Sequence, residues 1–131
     1  IRMAKALPKV GIAYVHLSDL GGFRQPVKNS RNTGWRNERF GAYADYMQTE
    51  EFERGLEELN ELREKLRVCI MCSEAVWWRC HRRMIADAET ARGIPVKHIM
   101  SMTSATVHQM TEFAKVKKRR GRSPLITYPE K

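Results

Sequence analysis

Phe52, Leu56, Leu59, Leu62 and Leu66 recur at steps of four, three, three and four residues, and the apolar run Val68-Cys-Ile-Met71 follows at once. The first pattern is the buried stripe of an amphipathic helix; the second reads as a buried strand. A helix that hands over to a strand so soon must fold back on what it covers, so this pair constrains the chain more than any other stretch. Thr49 is the expected N-cap, with Glu50 and Glu51 in a first turn that favours negative charge. The stripe reads as core packed on a sheet.

Similar units lie on either side. Residues 11–17, Gly-Ile-Ala-Tyr-Val-His-Leu, have strand composition. A long polar loop is expected over 18–33, then a helix over 35–47 with Phe40, Tyr43 and Met47 on one face. A further helix is expected over 80–92, with Gly93 as its C′ residue and Pro95 preventing continuation. Residues 96–100 form the third expected strand, 101–106 a loop, 108–114 a short helical turn and 125–128 an edge strand. Strand, helix, strand, helix, strand with short connections predicts a compact three-layer α/β domain, its small, mostly parallel sheet covered by helices.

A chain of 131 residues makes one domain, 1–131. Its opening, Ile1-Arg-Met-Ala-Lys-Ala-Leu7, reads as the tail of a helix ended before Pro8, so an amino-terminal portion is expected to precede it. Three cysteines and no secretory signal predict reduced thiols and a cytoplasmic protein. The absence of a long apolar run argues against a membrane partner. Cys69 and Cys72 do not read as a redox pair. Three residues of strand would hold their Cα atoms about 10 Å apart with side chains on opposite faces, beyond the roughly 7 Å a disulfide tolerates. The net charge of +9 points to anionic ligands or polyanions. Much of it is local, in a basic loop expected over 115–124 with Lys115, Lys117, Lys118, Arg119, Arg120 and Arg122.

The densest chemistry falls on one turn, Cys72-Ser-Glu-Ala-Val-Trp-Trp-Arg-Cys-His-Arg-Arg83. A turn from the carboxyl end of a strand into a helix is where open α/β folds bind ligands. A helix N-terminus favours anions and lowers a nearby thiol pKa. Cys72 is therefore a candidate nucleophile, with Glu74 or His81 as proton carrier. Glu74 has an equally structural use, orienting Arg82 in a bidentate pair. One of Trp77 and Trp78 is free to cover a pocket or stack on a planar ring, although core packing is the ordinary fate of both. Cys80 and Arg82 join the candidate ligand contacts. His16, Arg24 beside Gly21-Gly22, Trp35, Asn37 and His108 are placed by the expected topology at the same sheet edge. A phosphatase-type loop is not matched, because Arg79 and Arg82 come too late after Cys72. No cofactor or metal is expected. Zinc on Cys72, Cys80 and His81 would need a fourth ligand such as His16, His98 or His108, and adjacent helical residues project about 100° apart.

Several of these residues resemble a known family. Tyr14-Val-His-Leu17 with Leu20-Gly-Gly22, Trp35-Arg-Asn37, Tyr43-Ala-Asp-Tyr46-Met47, Cys72-x-Glu74 with Cys80-His-Arg82, and Thr127-Tyr-Pro129 together resemble the family called domain of unknown function 488. The resemblance runs from about Leu7 onward and is most specific at C-x-E…C-H-R. It implies a compact α/β protein with an additional amino-terminal strand and loop, and it assigns no function. The basic stretch around Lys117 to Arg122 is longer and more charged than the family pattern.

The residues leave three functions open. One is an enzyme-like pocket for a small anionic ligand, nucleotide- or base-like, at the C-x-E…C-H-R turn. The second is a nucleic-acid-binding module that uses its basic patches without chemistry. The third is an interaction domain whose turn residues only lock the fold.

Overall fold

Among residues 5–72 and 76–130, which the computed structural model describes, α-helices build the core and strands occur only as hairpins. Helix α1 spans Glu38–Tyr46, α2 Glu50–Lys65 and α3 Arg82–Ala91. Asn37 caps α1 by accepting from Arg39 N–H at 2.8 Å and from Phe40 N–H. Thr49 caps α2 through Phe52 N–H, and three glutamates fill the first turn of that helix. Both ends of α2 thus complement its dipole, Arg63 and Lys65 closing the last turn. Beyond α3, Gly93 takes φ +81°, the left-handed conformation of a C′ glycine.

Phe52, Leu56 and Leu59 of the stripe are buried, whereas Leu66 falls beyond the end of α2 and is exposed. The stripe packs against Tyr43, Ala44 and Met47 on one side and Met84, Ile85 and Ala88 on the other. Gly55 lets Leu20 approach, since a Cβ there would stand 2.8 Å from Leu20 Cδ2. Tyr43 Oη donates to the Leu20 carbonyl at 2.8 Å, and Tyr46 Oη to that of Asp19 at 2.6 Å, which pins the 3₁₀ turn Ser18–Leu20 to α1. The stripe therefore covers other helices and a turn, and Ile126 near the carboxyl end joins the same core.

The expected parallel sheet is corrected by two small antiparallel ones. Strand β1, Lys97–Ser101, pairs with β2, Ser104–Val107; β3, Lys115–Arg119, pairs with β4, Arg122–Thr127. The physical reason is local. A tight turn at Ser101–Ser104 supplies β1 with a partner at minimal loop-closure cost, whereas a parallel partner requires a long crossover. Residues 12–17 and 67–72 are not assigned to strands. Val68, Cys69 and Ile70 line a cleft together with residues 96–100 instead of joining their sheet. The basic stretch, expected as a loop, forms the β3–β4 hairpin, with Gly121 at φ +67° in its turn. The end of β4 is stitched to the loop before α1: Asn32 Oδ1 accepts from Tyr128 N–H at 2.8 Å, and Gly34 N–H donates to the Tyr128 carbonyl at 2.7 Å. No described helix is long and apolar enough to cross a membrane.

Candidate functional site

The 3₁₀ turn Trp77–Arg79 leads into α3 and sets its first indole against β1. Trp77 stacks on His98 with ring centroids 3.8 Å apart. Trp78 stands perpendicular to Trp77 and is 42% exposed, an unusual position for an indole. Both indoles, His98 and Arg82 line a cleft of about 330 Å³ whose remaining wall is largely apolar, from Ile70, Val76, Ile85, Ile94 and Val96. A few polar groups in an apolar concavity of this size is the usual composition of a small-molecule site.

Behind the cleft runs a buried polar chain. Asp87 is fully buried on α3, and His108 Nε2 lies 2.7 Å from its Oδ1. His108 Nδ1 lies 2.7 Å from His98 Nε2. Thr111 donates to Asp87 through its backbone N–H at 3.0 Å and its hydroxyl at 2.6 Å, and Tyr128 Oη donates at 2.8 Å. Burial, then the neighbouring His108 and Arg82, push the His98 imidazole down to about 4, so it is neutral at physiological pH.

At the start of α3 the thiols gather around one guanidinium. Arg82 donates to Cys80 Sγ from its backbone N–H at 3.3 Å and its Nε at 3.0 Å, and it also hydrogen-bonds Cys72. The side chains of Cys72 and Cys80 themselves meet. Burial raises the Cys80 thiol above its ordinary range. His81 packs on Tyr43, and burial followed by Arg82 and Arg24 lowers its pKa. A Cβ on Gly22 would stand 2.7 Å from His81 Nδ1, so the glycine admits this ring. Arg24 clamps the same loop by donating to the Gly21 and Ser18 carbonyls, its guanidinium 3.6 Å from the centre of the Tyr46 ring.

Of the residues expected at one edge, the structure gathers Cys72, Cys80, His81, Arg82 and Arg24 around the turn. His108 sits behind the cleft, bonded to His98 and edge-on to Trp77. The topology that was to bring the others there is absent. His16 is exposed in an unpaired segment, Asn37 is spent on capping α1, and Trp35 packs among Phe40, Phe113 and Tyr128 with Arg83 over its ring. Glu74 lies outside the described residues. Among the described residues no group of three or more His, Cys, Asp or Glu is placed to hold a metal ion.

Asp87 was missed as a site residue, and His98 was weighed only as a zinc ligand. Asp87 left a signal, a carboxylate three residues after Met84 and adjacent to Ala88 on a face that must be buried. A buried carboxylate demands partners, and the later histidines and Tyr128 were the available ones.

The chain matches the model of the family described as domain of unknown function DUF488 over residues 2–88, and it belongs to that family. Neither the curated proteins nor the solved structures contain a match to it. The matched stretch ends within α3, so it holds Asp87, the thiols and Arg82, while His98, His108 and both hairpins lie beyond it.

Proposed function

We propose that the cleft beside the C-x-E…C-H-R turn is an enzyme-like binding site for a small anion with a planar ring, nucleotide- or base-like. The observation that carries this reading is that Trp77, Trp78, His98 and Arg82 line one cleft. Half-exposed indole gives a ring something to stack on, and a guanidinium pairs with a phosphate or carboxylate. Within this reading Cys72 is the candidate nucleophile, because it hydrogen-bonds Arg82 at the start of α3. Glu74 and His81 are the candidate proton carriers. Cys80, whose thiol burial holds in its protonated form, supports Arg82.

Calorimetric titration with AMP, CMP, GMP, UMP and inorganic phosphate at low and high salt tests the site. Binding of a mononucleotide that survives salt and weakens on Arg82→Gln and Trp78→Ala is the expected result. Failure of every mononucleotide to bind, or binding indifferent to both substitutions, overturns the reading.

One observation favours a second reading. The β3–β4 hairpin carries Lys115, Lys117, Lys118, Arg119, Arg120 and Arg122, with no acidic residue from 113 to 129. Such a ribbon suits nucleic-acid phosphates without any chemistry. This reading requires affinity for oligonucleotides that falls steeply with salt and is untouched by Cys72→Ser.

A further inference from the structure

The chain Asp87–His108–His98 has a direction that can be worked out bond by bond. Thr111 Oγ1 accepts from Arg83 Nε at 3.1 Å. An arginine only donates, so the one hydroxyl proton of Thr111 goes to Asp87 Oδ2. Tyr128 keeps its proton, which burial and Asp87 hold in place, and donates it to the same oxygen. The backbone N–H of Thr111 donates to Oδ1. Asp87 is thus an acceptor at each of these contacts, and the 2.7 Å bond to His108 Nε2 takes its proton from the histidine.

A neutral imidazole that donates from Nε2 can only accept at Nδ1. With one ring proton on His108, His98 Nε2 donates to His108 Nδ1 across their 2.7 Å contact. The one proton of His98 is spent inward, and its Nδ1 keeps a bare lone pair with no hydrogen-bond partner among the described residues. Arg82 acts on His98 against a further positive charge, and the Asp87 carboxylate acts the other way. Trp77 covers one face of the His98 ring, and both residues line the cleft.

We infer that this chain selects what the cleft accepts: Asp87 and His108 are positioning residues that hold His98 in one tautomer, and His98 Nδ1 accepts a hydrogen bond from an exocyclic amine on the planar anion. The inference rests on the reading of the cleft as a nucleotide-like site and names its ligand class as amino-substituted bases. Nothing in the matched family stretch announces it, since both histidines lie beyond residue 88.

The experiment has two arms on the full chain. Long-range ¹H–¹⁵N NMR at neutral pH reads the tautomers of His98 and His108 directly in the unsubstituted protein, so no variant need fold for the test to be decisive. Both rings are expected protonated at Nε2, and His108→Leu is expected to release His98 into a mixture of tautomers. The second arm titrates AMP and CMP against the dimethylamino derivative of each. Loss of the donor is expected to weaken binding on the order of tenfold or more, and His108→Leu to narrow that difference. A proton on Nδ1 of His98 in the unsubstituted protein overturns the inference. So does equal binding of parent and dimethylated nucleotide, which leaves the nucleotide site itself standing. Binding of neither form overturns the inference together with the reading beneath it.

Discussion

His98 lies face to face with Trp77, their planes 3° from parallel and their ring centroids 3.8 Å apart. The contact joins the 3₁₀ turn before α3 to β1, two segments that share no backbone ladder. It also explains why an imidazole in the polar chain can sit at the wall of an apolar cleft. One of its faces is covered by the indole, and its inner edge is bonded to His108.

Trp77→Leu keeps apolar bulk at this wall and removes the stack. An aromatic pair contributes about 0.5–1.5 kcal/mol beyond its buried area, so a loss of about 1 kcal/mol is expected in urea unfolding. The ring protons of His98, relieved of the indole ring current, are expected to move downfield. A variant as stable as the parent, with His98 shifts unchanged, would show that the stack does not form in solution.

The same imidazole makes stability depend on pH. Its folded pKa is about 4 against an ordinary 6.5, lowered by burial first and then by His108 and Arg82, with Asp87 acting the other way. Between those values the unfolded chain binds a proton that the folded one refuses, so stability falls as pH drops from about 6.5 to about 4. His81, also lowered by burial, acts in the same sense. Glu89 opposes them, because burial raises its carboxyl and costs stability as pH climbs above about 4.5. Comparing melting temperature against pH for the parent and His98→Gln isolates the His98 part. A shallower acid slope in the variant is expected, and parallel curves would refute it.

Asp87→Ala is expected to be among the most damaging single changes in the chain. Four donor groups converge on this carboxylate: His108 Nε2, Thr111 N–H, Thr111 Oγ1 and Tyr128 Oη. Alanine leaves them buried without an acceptor, and each orphaned polar group costs about 1–3 kcal/mol. A destabilisation of about 4 kcal/mol or more in denaturant unfolding follows, while Asp87→Asn, which retains an acceptor oxygen, is expected to cost less. Equal losses for the two variants would mean that volume, not hydrogen bonding, holds this position.

These residues also show where sequence reasoning carried and where it stopped. The helices were legible because their signals are local. Thr49 and the glutamates after it mark the start of α2, the spacing of Phe52, Leu56 and Leu59 marks its buried face, and Gly93 marks the end of α3. Strand pairing is not local. The run at 68–71 has strand composition, but a strand exists only when a neighbour supplies hydrogen bonds, and β1 took β2. The same limit applied at the site. The turn announced Cys72, Cys80, His81 and Arg82 through their crowding in sequence, whereas Asp87, His98 and His108 are separated by intervals that carry no period. Their connection is set by how the first hairpin docks on α3.

The three cysteines should differ in reactivity. Cys69 is exposed, Cys72 half-buried and Cys80 buried, with burial raising its thiol pKa. The thiolate is the species that alkylates, so a raised pKa and poor access slow Cys80 twice over. Mass spectrometry of a short iodoacetamide course at neutral pH is expected to find Cys69 modified first and Cys80 last. Early loss of Cys80 would contradict its place beneath Arg82.

Two glycines should respond unequally to one added methyl group. At Gly34 an added Cβ would stand 2.6 Å from the Pro129 carbonyl oxygen, 2.8 Å from that of Tyr128 and 2.8 Å from Phe113 Cδ2. Backbone atoms cannot swing aside, and Gly34 N–H also holds the Tyr128 carbonyl at 2.7 Å. Gly34→Ala must therefore pull the chain around Tyr128 away from Asn32, at a cost of about 1–3 kcal/mol typical of overpacking. At Gly22 the nearest atoms belong only to the His81 ring, 2.7 Å away at Nδ1, and a side chain can turn. Gly22→Ala is expected to leave unfolding within about 1 kcal/mol of the parent while moving the His81 resonances and weakening anion binding at the turn. Measuring both variants by urea unfolding and by titration with mononucleotide separates the two effects. The reverse order, with Gly22→Ala the more destabilising, would show that His81 is held as firmly as backbone.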